Sequence, residues 1–320
     1  MSRGEVERRT VLKAAAILAV AGFGAAGGRT ARAQEVPYSS GTGRPKTKAP
    51  ANATDCHMHI YDKRFPAAPN ATLLPPDALP DDYRKLQQRL GTTRNVVVTP
   101  STYGTDNSCT LAGMAALGPT ARGVAVVNTG VTDAELKRLD GLGVRGIRFN
   151  LVQAGATSVE MLEPLSKRVN DLGWHVQIHM LGPQIVEIES LLLRLPSPII
   201  FDHLARIPQP AGATHPAFTT VRKLIDKGRT WVKLSGAYQD TKVGPPTYSD
   251  TTELAKAFVK AAPERMVWGS DWPHPTEKPD HKPDDAILFD LLAAWAPDEA
   301  TRTRILVQNP ATLYGFPKSA

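Results

Sequence analysis

Cysteine is scarce: Cys56 and Cys109 are the only two in the chain. A disulfide framework is excluded, although a single bridge in an oxidising compartment is not, and both thiols read as buried apolar side chains. No apolar run approaches the ~20 residues that a bilayer-spanning helix needs. The longest, "AAAILAVAGFGAAGG", has about 15 and is rich in Gly and Ala. No Gly-rich dinucleotide fingerprint follows the first strand-like segment, which sets aside a Rossmann reading. Nor is there an excess of one charge over the body of the chain. The formal net charge is +7, but within residues 1–33 six basic side chains face only Glu5 and Glu7, so most of the excess sits there. That distribution excludes a nucleic-acid footprint. With 42% hydrophobic and 22% charged residues over 320 positions, the chain has the composition of one large globular α/β domain.

The N-terminus has an order of its own. A polar start leads to Arg8 and Arg9 in "RRTVLK", then to the apolar run, then to the small-residue site "ARA" ahead of Gln34. This is the pattern of a cleavable secretory signal, and the twin arginines give residues 1–33 a Tat-like character. It predicts export to the periplasm or beyond, with no lasting membrane insertion once the signal is removed. Residues 34–53, rich in Pro, Gly, Ser and Lys without an apolar period, read as an extended arm. From 54 to 320 short apolar runs recur: "TDCHMHI", "NVVVTP", "GVAVVN", "VRGIRFN", "HVQIHM", "IIFDH", "WVKLSG" and "MVWGSDW". Amphipathic segments such as "PDDYRKLQQRLG" and "HPAFTTVRKLIDKG" lie between them and end at a glycine suited to a C-cap. Thr132 and Glu135 have the spacing of a capping box, and "PDEATRTRILVQNPATLYG" reads as a long closing helix. Eight such units predict a single-domain (β/α)₈ TIM barrel.

In such a barrel the chemistry gathers at the C-terminal ends of the strands. There the sequence places His57 and His59 on the first strand, His179 on the fifth, His203 on the sixth and Asp271 on the eighth. A spacing of two puts His57 and His59 on one face. Each has an ordinary structural reading, as a satisfied strand end or a turn acid. Together, four imidazoles and one carboxylate on one rim form a donor set that a catalytic divalent cation accepts, zinc first and manganese as the alternative. Arg148 and Asn150 share the inward face of the fourth strand while Arg145 points away, and an inward guanidinium suits a carboxylate or sulfonate. His175 reads as core, and His215, His274 and His281 as loop residues, with His274 within reach of the rim. Asp55 and Cys56 read as strand support.

Taken as a set, "DCHMH", "RNVVV", "GVRGIRFN", "LGWHV", "DH", "WGSDWPHP" and "NPATLYG" resemble the amidohydrolase superfamily, and more closely its branch of 2-pyrone-4,6-dicarboxylate lactonases, 4-sulfomuconolactone hydrolases and sugar lactonases. The resemblance implies that His57, His59 and His203 surround a reacting carbonyl and that Asp271 handles the proton of the attacking water. It also implies that Arg148 holds an acidic group of the substrate and that Ser101 adds a hydrogen bond; Asn150, by its place on the inward face, and His274, by its nearness to the rim, are further candidate substrate contacts. Departures are informative. Leu73 stands where the dicarboxylate lactonase has a tyrosine, Ala154 where it has a second arginine, and Thr276 where it has an asparagine. His179 stands in place of a tyrosine and restores the superfamily's fourth imidazole. The expectation is a metal-dependent hydrolase of a small anionic lactone, of the kind met in aromatic-compound catabolism, acting as a monomer or small homo-oligomer. The alternatives are a sugar-acid lactonase, a galactarolactone-type isomerase, a decarboxylase and a non-catalytic binding protein.

Overall fold

The computed structural model describes residues 35–317 apart from Ala154. The signal-like segment and the position of Ala154 therefore lie outside the described residues. Eight short strands, rich in Val and Ile where they are apolar, follow the expected order: β1 (Thr54–Met58), β2 (Arg94–Val98), β3 (Ala121–Ala125), β4 (Val144–Asn150), β5 (His175–His179), β6 (Ile199–Phe201), β7 (Thr230–Leu234) and β8 (Met266–Trp268). Each pairs in parallel with the next, in the order β1 to β8. The ring is nearly closed. Beyond the strand ends the His59 amide donates to the Trp272 carbonyl at 2.8 Å, and the Asp271 amide to the His57 carbonyl at 2.7 Å. Strand sequence thus continues into hydrogen-bonded loops, and these carry His59, His203 and Asp271.

Alternation along the strands divides the apolar residues between two layers. Outward side chains such as Val97, Ile147 and Phe201 pack under the helices. A smaller inner cluster of Cys56, Val96, Val124, Ile200, Trp231 and Val267 fills the barrel, together with Tyr314 and Phe316 from the end of the chain. Phe316 lies under the guanidinium groups of Arg94 and Arg122, at the start of β2 and β3. The aromatic pair therefore plugs the N-terminal end, and the opposite mouth is left for polar groups.

The closing helix is continuous but changes pitch: Glu299–Thr303 is α-helical, Arg304–Gln308 is a π turn, and Asn309–Tyr314 is α-helical again, ending at Gly315 with φ +64°. The capping box forms by half. Thr132 accepts the Glu135 amide at 3.1 Å, but the Glu135 carboxylate turns to Arg138 at 2.7 and 2.8 Å instead of reaching back, because an arginine three residues on offers a charged donor. The arm is not a free extension. The Trp272 indole donates to the Pro37 carbonyl at 2.7 Å, and Arg89 reaches Ser39 at 3.0 Å and the Gly43 carbonyl at 2.7 Å. Cys56 and Cys109 are both buried free thiols. Among the described residues no helix is long and apolar enough to cross a membrane.

Candidate active site

At the mouth, imidazole nitrogens converge on one carboxylate oxygen. Asp271 Oδ1 lies 3.4 Å from His59 Nε2, 3.5 Å from His57 Nε2 and 3.8 Å from His203 Nε2. Its other oxygen is taken, accepting the Tyr238 hydroxyl at 2.6 Å and the Gln239 amide at 3.0 Å. His57, His203 and Asp271 each offer a donor atom within 4.8 Å of the other two, and His59 Nε2 stands 3.2 Å from His57 Nε2. The orientation of His59 is settled: its Nδ1 faces the Val98 carbonyl at 2.7 Å and must donate, so in the neutral ring Nε2 carries a lone pair. His203 is oriented through Nδ1 by the Ser235 hydroxyl at 2.9 Å. Three imidazole nitrogens and one carboxylate oxygen facing one another at such distances form a donor set that fits a divalent ion.

Backbone strain is concentrated here. Nine non-glycine residues among those described have positive φ, and six belong to the two loops of the site: His203, Leu204, Ala205 and Arg206 after β6, and Asp271 and His274 after β8. Left-handed backbone costs roughly 1–2 kcal/mol per residue and is usually met singly. A run of four is held by the partners of the side chains it delivers, Ser235 on the ring of His203 and Asp240 on the guanidinium of Arg206. Gly236 and Gly269 make room: a Cβ at the first would lie 2.8 Å from His203 Nδ1, and at the second 2.6 Å from His57 Cβ.

Burial keeps His57 and His203 neutral. It lowers the pKa of His57 well below 6.5, helped by Lys233, and that of His203 to about 4. Burial pulls Asp271 the other way, but the acid lies well below 3.8 and stays ionised, its Oδ2 taking two hydrogen bonds and its Oδ1 facing the rings of His203, His57 and His59.

The other expected residues differ in how they meet the cleft. His179 lines the cleft and packs edge-on against His203, ring centroids 5.1 Å apart, while its Nε2 accepts from Arg206 Nη1 at 2.9 Å and that arginine is gripped by Asp240 at 2.7 and 3.1 Å. His274 is not a rim residue. It is fully buried, with Nδ1 3.0 Å from the Tyr238 hydroxyl and Nε2 3.1 Å from Asp285, so its ring connects to the cleft through Tyr238, which donates to Asp271. Arg148 does point inward and lines the cleft with Ser101 and Asn150. Its Nε, however, donates to Asp202 at 3.2 Å. Asn150 Oδ1 accepts the amides of Val152 and Gln153 at 3.3 and 3.2 Å and so shapes the loop after β4. Asp55 supports the first strand as expected, accepting from the amides of His57 and Ser270 and from the hydroxyls of Ser270 and Tyr83. His175 is core, His215 caps the helix Pro216–Asp226, and His281 pairs with Asp280 at the surface.

Beneath the mouth lies a buried layer that sequence reasoning missed. Asp202 and Lys233 are both fully buried, 3.6 Å apart, with Gln177 and Arg148 beside them. Burial pushes Lys233 down to about 8, opposed by Asp202. A signal was present: a lysine inside the apolar run "WVKLSG" on an inward position has to find a buried partner. A wider groove of about 650 Å³, lined by Tyr38, Phe65, Pro75 and Tyr103, adjoins the cleft across Tyr61. It holds none of these converging groups, and the chemistry is in the narrower cleft.

The profile of the amidohydrolase family matches residues 54–316. The chain belongs to the amidohydrolase family. Within it, the chain is 34% identical over 278 residues to the D-galactarolactone isomerase of Agrobacterium fabrum, covering 86% of this chain and 94% of that one. It is 36% identical over 272 residues to the 4-sulfomuconolactone hydrolase of Rhizobium radiobacter, covering 83% and 91%. An apo crystal structure from Agrobacterium tumefaciens superposes with a TM-score of 0.82 at 32% identity, over 88% of this amidohydrolase and 99% of the other chain.

Proposed function

We propose that the protein hydrolyses a small anionic lactone and holds one divalent cation, zinc first and manganese as the alternative, on His57, His203 and Asp271, with His59 adjoining. The observation that carries this reading is the convergence of His57, His59 and His203 on the single free oxygen of Asp271. A cation held there supplies Lewis acidity toward an ester carbonyl and makes a water nucleophilic at neutral pH. The protein's own residues do the rest. Tyr238 and Gln239 fix Oδ2 of Asp271, which leaves Oδ1 aimed at the cleft to take the water's proton as the new C–O bond forms. When the ring C–O bond breaks, the same carboxyl returns the proton to the leaving oxygen. Arg148, steadied by Asp202, offers its remaining N–H groups to the substrate's anionic substituent.

Leu73 and Thr276 line the cleft. The apolar Leu73 offers no hydrogen bond where the resemblance to the dicarboxylate lactonases implies a tyrosine, so one of two acid contacts is absent. That favours a substrate with a single strongly held anion, a sulfonated muconolactone ahead of a sugar-acid lactone. Relatives at 34–36% identity include both a lactone isomerase and a lactone hydrolase, and isomerisation is the second reading. A panel of anionic lactones followed by proton release separates them. Hydrolysis opens the ring and releases acid, isomerisation leaves the ring closed and the pH unchanged, and evolution of carbon dioxide would move the reaction to decarboxylation. Metal analysis of the folded protein tests the cation. The sequence of residues 1–33 supports Tat-dependent export, and cell fractionation of an Arg8→Lys, Arg9→Lys variant tests it, with retention in the cytoplasm as the expected outcome.

A further inference from the structure

His57 is contacted on both nitrogens, and the contacts admit two arrangements of its single proton. On the inner side, Nδ1 lies 3.1 Å from Lys233 Nζ and 3.2 Å from Asp202 Oδ1. Lys233 has three protons. Two go to the Cys56 carbonyl at 2.9 Å and to Gln177 Oε1 at 2.7 Å, and the third has a choice between His57 Nδ1 and Asp202 Oδ1 at 3.6 Å. On the outer side, His57 Nε2 meets the lone pair of His59 Nε2 at 3.2 Å.

In the first arrangement Lys233 donates to Nδ1, His57 donates through Nε2–H to His59, and His59 donates to the Val98 carbonyl. The chain of donors is complete, but Asp202 Oδ1 has no aligned hydrogen-bond donor although it is fully buried. In the second arrangement the proton sits on Nδ1 and serves Asp202 Oδ1, Lys233 turns its third proton to the same carboxylate, and Nε2 presents a lone pair to the mouth. Two lone pairs then face each other across 3.2 Å beside an ionised Asp271, which is stable only with a cation between them. The ring is neutral in both, and no proton is gained or lost overall: one N–H bond breaks at Nε2 and one forms at Nδ1.

We propose that Lys233 and Asp202 are opposed positioning residues that set the tautomer of His57, with Lys233 holding it closed to a divalent cation and Asp202 opening it. The inference rests on the cation site proposed above. It makes cation affinity a property of a buried pair that touches neither cation nor substrate, as groups behind a metal ligand commonly do, with effects of about 10–100-fold. Asp202→Asn has a definite direction. Arg148 and Gln177 both donate to one oxygen of Asp202, so the amide oxygen must face them and its NH₂ must face His57 Nδ1, which locks the ring in the closed tautomer.

The test is nitrogen NMR of the full chain with ¹⁵N-labelled histidine, first with a chelator and then with one equivalent of Zn²⁺, the His57 signals being identified by their loss in His57→Gln. The expected result is protonation at Nε2 with the chelator and at Nδ1 with Zn²⁺. If Zn²⁺ binds and the tautomer does not change, this inference is overturned while the cation site stands; if wild-type protein binds no Zn²⁺, both fall. Competition with a chromophoric chelator gives the second readout: about tenfold tighter Zn²⁺ binding in Lys233→Met and about 10–100-fold weaker in Asp202→Asn. Equal affinities in the two variants would overturn the proposal, and if either fails to fold the wild-type spectra decide.

Discussion

His57 and His175 are both wholly buried inside the barrel, and both are kept uncharged by burial. Yet one is at the centre of the site and the other is inert. His57, near the mouth, has an ammonium and a carboxylate on one nitrogen and an imidazole and a carboxylate on the other. His175, near the plugged end, meets the edge of Tyr314 at 5.2 Å, and neither of its nitrogens has a partner. Gly146 leaves the space that its ring fills, since a Cβ there would lie 2.4 Å from His175 Nε2. Burial alone makes a neutral, passive ring. Chemistry begins where buried ring nitrogens are aimed at one another and at a carboxylate, a donor set that suits a cation.

The largest expected effect comes from breaking the mouth. Asp271→Asn removes the only oxygen free to take a proton, and kcat/KM for lactone opening should fall by about 10²–10⁴-fold with the thermal melting point little changed. Retention of full activity would sink the assigned role. Arg148→Met strikes the layer between the two ends: it takes the guanidinium from the buried Asp202 carboxylate and should cost about 3–5 kcal/mol in denaturant unfolding, as well as raising KM for anionic substrates. A stability loss without a KM change would show Arg148 to be purely structural.

The inert end should show itself in acid. His175 is lowered to about 3 by burial, with Lys233 adding to it, from 6.5 in the unfolded chain. For a base lowered on folding, the unfolded state binds more protons between those values, so its contribution to stability is complete above pH 6.5 and is lost as pH falls toward 3. Asp55, raised to about 6 by burial, works against it, since its contribution is lost as pH rises from 3.8 through 6. Replacing His175 with Phe should flatten the acid side of the stability profile between pH 6.5 and 3 while leaving catalysis at neutral pH intact. An unchanged slope in pH-dependent denaturant titrations would show that the ring does not titrate with unfolding. The smallest effect is at the surface, where Thr132→Ala loses a half-formed cap and should cost about 1 kcal/mol.

Much of this was legible from one-dimensional pattern. The eight strand-like runs became eight strands in order, because alternation of apolar residues and glycine stops are local signals. His57, His59, His203 and Asp271 were recognisable as a set because the barrel topology sends strand ends to one rim. His179 and His274 were recognisable as polar residues near that rim but not by their contacts, because Arg206 and Tyr238 approach from other loops. Asp202 and Lys233 sat in plain view within apolar runs, but they are 31 positions apart in sequence and meet only because β6 and β7 lie side by side, with Phe201 in register with Val232.

The sequence by itself determined the fold class, the rim and four of the side chains that meet there, since each follows from periodicity and from the fixed polarity of parallel strands. Only the tertiary structure decided which nitrogen of each ring faces the mouth, which carboxylate oxygen is free, and which arginine is already engaged. Those are matters of hydrogen-bond direction at 3 Å between residues remote in the chain, and spacing along a sequence carries no information about direction.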